Sequence, residues 1–311
     1  MQIGILESTN FSGHALKKLR HAGRVELYRK QRLSSFLKDK EVLFVRLGHK
    51  INKKFLKMAP RLQWLCSPTT GLNHLDEKEL KRKNIKLLSL RGEKHFLKTI
   101  HATPEHTLGL ILTLLRRYPL AFSSCRSGFW DRDRFRGEEL HGNRVGIIGL
   151  GRVGHRVATL CQAFGARIFW YDPAKVKHPS EWKRLPSPAS VIRASKIIVL
   201  SAAHVANQKP ILGKREIQCL KQRYFINTSR GELVDENSLF DAIRKNYLQG
   251  AALDVLKNEN RRQTFKRWRP LLGKKNFFLT PHLGGATNES MAKTENFIVD
   301  ILLTHLKRKL P

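Results

Sequence analysis

Arg230, Glu259 and His282 are a cation, a carboxylate and an imidazole, far apart in the chain, each just beyond a short apolar run. Arg230 follows RYFINTS (223–229), Glu259 lies five residues after Asp254, which closes GAALD (250–254), and His282 follows FFLTP (277–281). These residue types suit redox chemistry on a hydroxy acid. A guanidinium grips a carboxylate through paired N–H donors. An imidazole moves the hydroxyl proton near neutral pH, and a carboxylate beside it orients the ring and stabilises its cationic form. Residues so far apart need a scaffold that brings three strand ends together. In an open parallel sheet the loops at the carboxyl ends of the strands line one crevice, so the three apolar runs predict a parallel α/β domain.

A second motif fits the same scaffold. Gly149, Gly151 and Gly154 form G-x-G-x-x-G after the strand-like run VGII (145–148), and a helix pattern opens at Val153. In that context the glycines permit a tight turn, close approach to a pyrophosphate and close helix–strand packing. Arg152 and Val153 lie inside the cradle. The anion then sits at a helix N-terminus, where free N–H groups point at it. Asp172 ends the next strand-like run, where an acidic residue binds the adenosine ribose and repels a 2′-phosphate. This predicts NAD as the cofactor, although Lys175 and Lys177 nearby leave room for NADP.

Two rhythms position these groups. Residues 1–100 alternate short apolar runs with polar helical segments, which predicts βαβ units and a small parallel sheet. A long helix is expected from about 104 to 127, capped by Thr103 with Pro104 at its first position. Six strand-like runs follow, the count of a doubly wound dinucleotide-binding domain. A last helix is expected over about 289–307. The predicted architecture is α/β, with two Rossmann-like domains built on doubly wound parallel sheets. Residues 1–100 and 285–311 would form a substrate domain and 101–284 an NAD-binding domain, with the active site in the cleft between them.

The bulk numbers narrow the function classes. Hydrophobic residues make up 41% of 311, ordinary for a globular chain. Cys66, Cys125, Cys161 and Cys219 match neither a metal nor a disulfide pattern, so no metal is expected and a reducing, cytoplasmic location is. No charged leader precedes an apolar segment, and the longest apolar stretch, 108–115, is too short to span a bilayer, so neither secretion nor membrane insertion is expected. The 59 basic and 25 acidic residues give a formal charge of +34, densest at 261–269 with a short tail at 307–309. Such a field attracts anions. With no recognised nucleic-acid motif, any nucleic-acid binding is expected to be weak and non-specific.

The segments VGIIGLGRVG (145–154), INTSRGELVD (226–235), GAALDV (250–255) and TPHLGGA (280–286), with SPTTGL (67–72) and ATPEHT (102–107), resemble the D-isomer-specific 2-hydroxyacid dehydrogenase family over nearly the whole chain. The resemblance implies that Arg230 binds the substrate carboxylate, His282 is the acid/base and Glu259 its partner. It implies that Thr70, Thr228, Asp254 and Gly285 join the glycine loop around NAD, with Asp254 on the nicotinamide side. It also implies that main chain at Gly71 and Leu72 holds the substrate, and that the protein is a homodimer acting on a small anionic 2-hydroxy or 2-keto acid. Phosphoglycerate dehydrogenases are the most similar branch, through Arg46 and Arg132, which would meet a substrate phosphate. The C-terminal-binding-protein corepressors also resemble the family and keep its triad, so an NAD-regulated binding protein is the alternative. Two departures stand out. The family often has proline after the catalytic glutamate, where this chain has Asn260, and no C-terminal regulatory domain is expected.

Overall fold

The computed structural model describes residues 1–205, 207–259 and 262–307. Asn260, Arg261, Arg308 and Lys309, which belong to the departure and the basic stretches noted above, lie outside them. The chain divides into two compact units, Met1–Ile100 with Ala286–Pro311, and His101–Gly285.

The first unit is built on five parallel strands: β1 (Gln2–Ile5), β2 (Arg24–Leu27), β3 (Val42–Phe44), β4 (Trp64–Ser67) and β5 (Lys86–Ser89), in the order β2-β1-β3-β4-β5. Successive side chains on a strand point to opposite faces. Leu43 and Leu65 therefore enter one core with Phe36 and Leu56, while Val42, Phe44 and Trp64 enter the other with Ile3 and Ile5. The helix Asn288–Lys307 closes that second core through Ile298, Val299 and Leu302.

The second unit holds β6 (Arg144–Ile148), β7 (Arg167–Tyr171), β8 (Lys183–Arg184), β9 (Ile197–Leu200), β10 (Tyr224–Asn227), β11 (Gly250–Leu253) and β12 (Phe277–Leu279). All pair in parallel, in the order β12-β11-β10-β9-β6-β7-β8. Its central strands are buried on both faces, as helix-covered parallel strands must be: Ile197 and Val199 face one core, Ile198 and Leu200 the other. The order reverses between β6 and β9, the switch point where doubly wound sheets open a crevice. The seventh strand, β8, has two exposed basic residues and no apolar signal to predict it.

The expected long helix is two. Ala102–Arg116 ends at Arg117, whose φ of 53° is left-handed, and Tyr118–Arg126 begins beyond it. Pro119 explains the break, because it lacks an N–H and its ring clashes with the preceding turn. Thr103 is not the cap: the helix starts two residues earlier than expected, at Ala102, with His101 at the capping position and no side-chain cap bond. Among the described residues no helix is long and apolar enough to cross a membrane.

Candidate active site in the second unit

The loop after β6 carries the glycine motif. Gly149 has a φ of 93°, and a Cβ there would lie 2.5 Å from the main chain of Ala202, just past β9. A Cβ on Gly154 would come within 2.0 Å of the Gly149 carbonyl oxygen. The first glycine thus bends the chain against the neighbouring strand end, and the third lets the helix Arg152–Ala163 sit on the loop. Gly151, at the helix N-terminus, faces open space, so its main chain is accessible to an anion. Arg152 opens the helix half-buried, and burial, with Arg156 one turn on, lowers its pKa from the ordinary value. Val153 is half-buried beside it and packs on the core. Asp172, past the end of β7, accepts the Leu150 N–H at 2.8 Å and the Ala174 N–H at 2.9 Å. Its carboxylate is held against the glycine turn, where a ribose would lie beside an anion cradle. These residues fit a dinucleotide: a bend, an open helix N-terminus, a cation and a carboxylate follow one another along two adjacent strand ends.

Arg230, Glu259 and His282 follow β10, β11 and β12, three neighbouring strands. Glu259 Oε1 lies 2.6 Å from His282 Nδ1. This pairing engages Nδ1 and leaves Nε2 on the far side of the ring. The imidazole and the carboxylate are both partly exposed, at 21% and 30%. Arg230 is half-buried, and one guanidinium nitrogen donates to the Ser229 carbonyl at 2.6 Å. Burial lowers its pKa, against the pull of Glu259, Glu232 and Asp254, so a cation is held among three carboxylates.

Asp254 organises the turn that presents the imidazole. Its oxygens accept the Thr280 hydroxyl at 2.6 Å, the Leu283 N–H at 2.7 Å and the Gly284 N–H at 2.8 Å. His106, from the helix Ala102–Arg116, places Nε2 at 3.3 Å from the same carboxylate. Burial pushes this carboxyl up, but the His106, Thr280, Leu283 and Gly284 donors outweigh it and hold its pKa below the ordinary value. The Asp254 carbonyl also accepts the N–H of His282, whose φ is 55°. A non-glycine residue is seldom left-handed, and here four contacts from one aspartate to Thr280, His282, Leu283 and Gly284 keep the turn in that shape. Thr228 is buried, with its hydroxyl 2.8 Å from that of Thr107. Gly285, exposed, ends the unit. Sequence reasoning missed His106 and Thr280 as site residues, although both lie in segments that carried the resemblance.

The first unit treats its expected site residues differently. Thr70, Gly71 and Leu72 lie in the loop after β4, at the carboxyl end of that strand, where the Thr69 hydroxyl donates to the Gly71 carbonyl at 3.0 Å. Thr70 is exposed, whereas the Leu72 side chain is core, so only its main chain is left to meet a ligand. Arg46, expected to meet a substrate phosphate, is already engaged within its own unit. Its guanidinium pairs with the buried carboxylate of Glu295, donates to the Thr9 carbonyl at 3.1 Å and lies over the Phe11 ring. Arg132, in the second unit, is 88% exposed and lies 3.6 Å from Asp133.

Residues 108–284 match the family described as D-isomer specific 2-hydroxyacid dehydrogenase, NAD binding domain. The chain is 30% identical over 315 aligned residues to a D-3-phosphoglycerate dehydrogenase of Methanocaldococcus jannaschii, covering 99% of this chain but 58% of that relative. It is 29% identical to a hydroxypyruvate reductase of Thermotoga maritima, over 89% of this chain and 88% of the other. The chain thus spans little more than half the length of the phosphoglycerate dehydrogenases it matches. The crystal structure of an Aquifex aeolicus D-lactate dehydrogenase complexed with NAD and lactic acid superposes with a TM-score of 0.83 at 23% identity, over 99% of this chain and 96% of that one. At that identity the likeness speaks for the fold. The fold, the glycine loop and the match over 108–284 together make this chain a member of the D-isomer-specific 2-hydroxyacid dehydrogenase family.

Proposed function

We propose that the protein is an NAD-dependent oxidoreductase acting on the CH–OH group of a D-2-hydroxy acid, or in reverse on a 2-keto acid. The observation that carries this reading is the Glu259–His282 pair at 2.6 Å, one strand away from the half-buried Arg230 and on the same sheet edge as the glycine loop. A nicotinamide, when bound, supplies the acceptor for the hydride on C2. Gly149, Gly151, Arg152, Val153, Gly154 and Asp172 hold its dinucleotide, and Thr228, Asp254 and Gly285 face the reactive end. Arg230 binds the substrate carboxylate and polarises the C2 oxygen. His282 takes the hydroxyl proton on Nε2 during oxidation and returns it during reduction. Glu259, on Nδ1, keeps that tautomer and offsets the charge the ring acquires.

The relatives' names point to three-carbon acids with a hydroxyl or phosphate on C3. Because Arg46 is engaged by Glu295, we place hydroxypyruvate and 3-phosphohydroxypyruvate on equal footing. A homodimer in a reducing cytoplasm is part of the same reading, supported by the exposed Phe122, Phe129 and Trp130 and by four free cysteines. The diffuse +34 charge adds weak, salt-sensitive association with nucleic acid.

The test is NADH oxidation with glyoxylate, pyruvate, hydroxypyruvate and 3-phosphohydroxypyruvate. Saturable turnover of at least one is expected. Tight NADH binding with no turnover of any of them would overturn the enzyme reading and favour an NAD-regulated binding protein.

A further inference from the structure

We propose that Glu236, assisted by Thr264, is a positioning residue for the Glu259–His282 pair: it grips the main chain of the loop after β11 from which Glu259 projects. The inference rests on the acid/base reading of that pair. Glu259 stands at the end of a loop that includes Asn258 in a left-handed conformation, φ 56°. The bond from the Leu256 N–H to Glu259 Oε2 is long, at 3.4 Å, so the carboxylate does little to fix its own loop. Three outside contacts do that instead. The Lys257 N–H donates to Glu236 Oε1 at 2.5 Å. The Thr264 hydroxyl, from the helix Arg262–Trp268, donates to the Asn258 carbonyl at 3.0 Å. The Leu256–Lys257 main chain lies directly on Gly231, where a Cβ would come within 2.1 Å of the Lys257 nitrogen.

Glu236 opens the helix Glu236–Arg244, and an acid there ordinarily serves its own helix terminus. That end is already capped, because Asp235 accepts the Ser238 N–H at 3.0 Å. Glu236 is thus released to reach across to Lys257. Gly231 and Glu236 both belong to the segment that follows Arg230, so one stretch of chain fixes the substrate cation and the loop of the catalytic carboxylate together. The charged groups around Glu236 are Lys257 on the loop, Arg267 on the helix Arg262–Trp268 and Glu232 beyond Gly231. Burial, with Glu232 adding to it, pushes the Glu236 carboxyl up to about 7, despite the Lys257 N–H and the Arg267 and Lys257 cations.

The experiment pairs amide hydrogen exchange at Lys257 with steady-state kinetics in Glu236→Ala, Glu236→Gln and Thr264→Val. Loss of a side-chain to main-chain hydrogen bond corresponds to about tenfold. In Glu236→Ala, exchange at Lys257 should accelerate and kcat fall by about that factor, with the KM for NADH unchanged. Glu236→Gln, whose amide oxygen can accept the same N–H, should restore most of both, and Thr264→Val should show a smaller loss of the same kind. The proposal is overturned if Glu236→Ala leaves Lys257 protection and kcat unchanged. It is equally overturned if the alanine and glutamine variants lose kcat, NADH affinity and melting temperature together, which is what a purely structural residue would give. If the wild type turns over no 2-keto acid, the functional reading fails, while the exchange data still decide whether Glu236 holds the loop.

Discussion

Arg46 and Arg230 are the same residue type at the same kind of place, past the carboxyl end of a buried parallel strand, yet their surroundings differ. In the first unit the charges at the strand ends satisfy one another. Arg46 is paired with Glu295, and Glu7 accepts the N–H groups of Arg46 and Gly48 and lies 3.0 Å from His49. Burial pushes the Glu7 carboxyl up, and the His49 and main-chain donors bring its pKa down below the ordinary value. In the second unit the charges are close but incompletely paired: Glu259 holds one side of the His282 ring, and Arg230 is bonded to a neutral carbonyl of its own loop. A charged residue at a strand end is therefore a weak sign of a site. A stronger sign is a set of mixed charges that stop short of neutralising each other.

The sharpest break in this comparison is expected at His282. His282→Ala should lower kcat by roughly 10²–10⁴-fold, the usual contribution of a general acid/base. NADH binding, followed by fluorescence titration, should persist. Near wild-type turnover at neutral pH would remove the second unit's claim to the chemistry.

The next largest effect belongs to the first unit and concerns stability. Arg46→Ala leaves the Glu295 carboxylate, 1% exposed, with the Ser12 N–H as its remaining described donor. Breaking a buried pair from one side costs about 3–5 kcal/mol, to be read from denaturant unfolding. The kcat/KM ratio of 3-phosphohydroxypyruvate to hydroxypyruvate should not change. A selective loss on the phosphorylated substrate with full stability retained would make Arg46 a binding residue and dissolve the contrast with Arg230.

The smallest effect is a pH dependence at Glu236. Its folded-state pKa, about 7, lies above the ordinary 4.5, so the native state binds more protons than the unfolded chain between those values. Stability from this group is full below the unfolded value and is lost as pH rises through the folded one. Glu236→Gln, which cannot ionise, should therefore gain melting temperature over the wild type as pH goes from about 5 to 8, with no gain at the acid end. A gap that stays constant across the range would mean that burial does not hold the carboxyl protonated.

The parts of the site that sequence made legible are those with local rules. The glycine spacing has one physical meaning between a strand and a helix, and the residues after three apolar runs had to share one sheet edge once the sheet was parallel. What stayed hidden depends on pairings between distant positions. Arg46 meets Glu295 across 249 positions, and no local pattern distinguishes that from an arginine awaiting a phosphate. His106 lies in a helix read only for its apolar stripe, so its polar face toward Asp254 went unseen. The break at Arg117 had a visible cause in Pro119, but the apolar periodicity ran on across it and carried the longer reading. β8 escaped because two exposed basic residues carry no strand signal.

The place of the helix Asn288–Lys307 in the first unit has a consequence during synthesis. Ile3 and Ile5 share a core with Ile298, Val299 and Leu302, so an early segment waits for one made much later. At roughly 5–20 residues per second, the span from residue 100 to that helix takes on the order of 10–40 s. The second unit, continuous from His101 to Gly285, is complete before the first can close. For that interval one face of the nascent β1-β3-β4 sheet lacks its cover, and a released chain truncated before Asn288 should hold a folded second unit but an open, protease-sensitive first one.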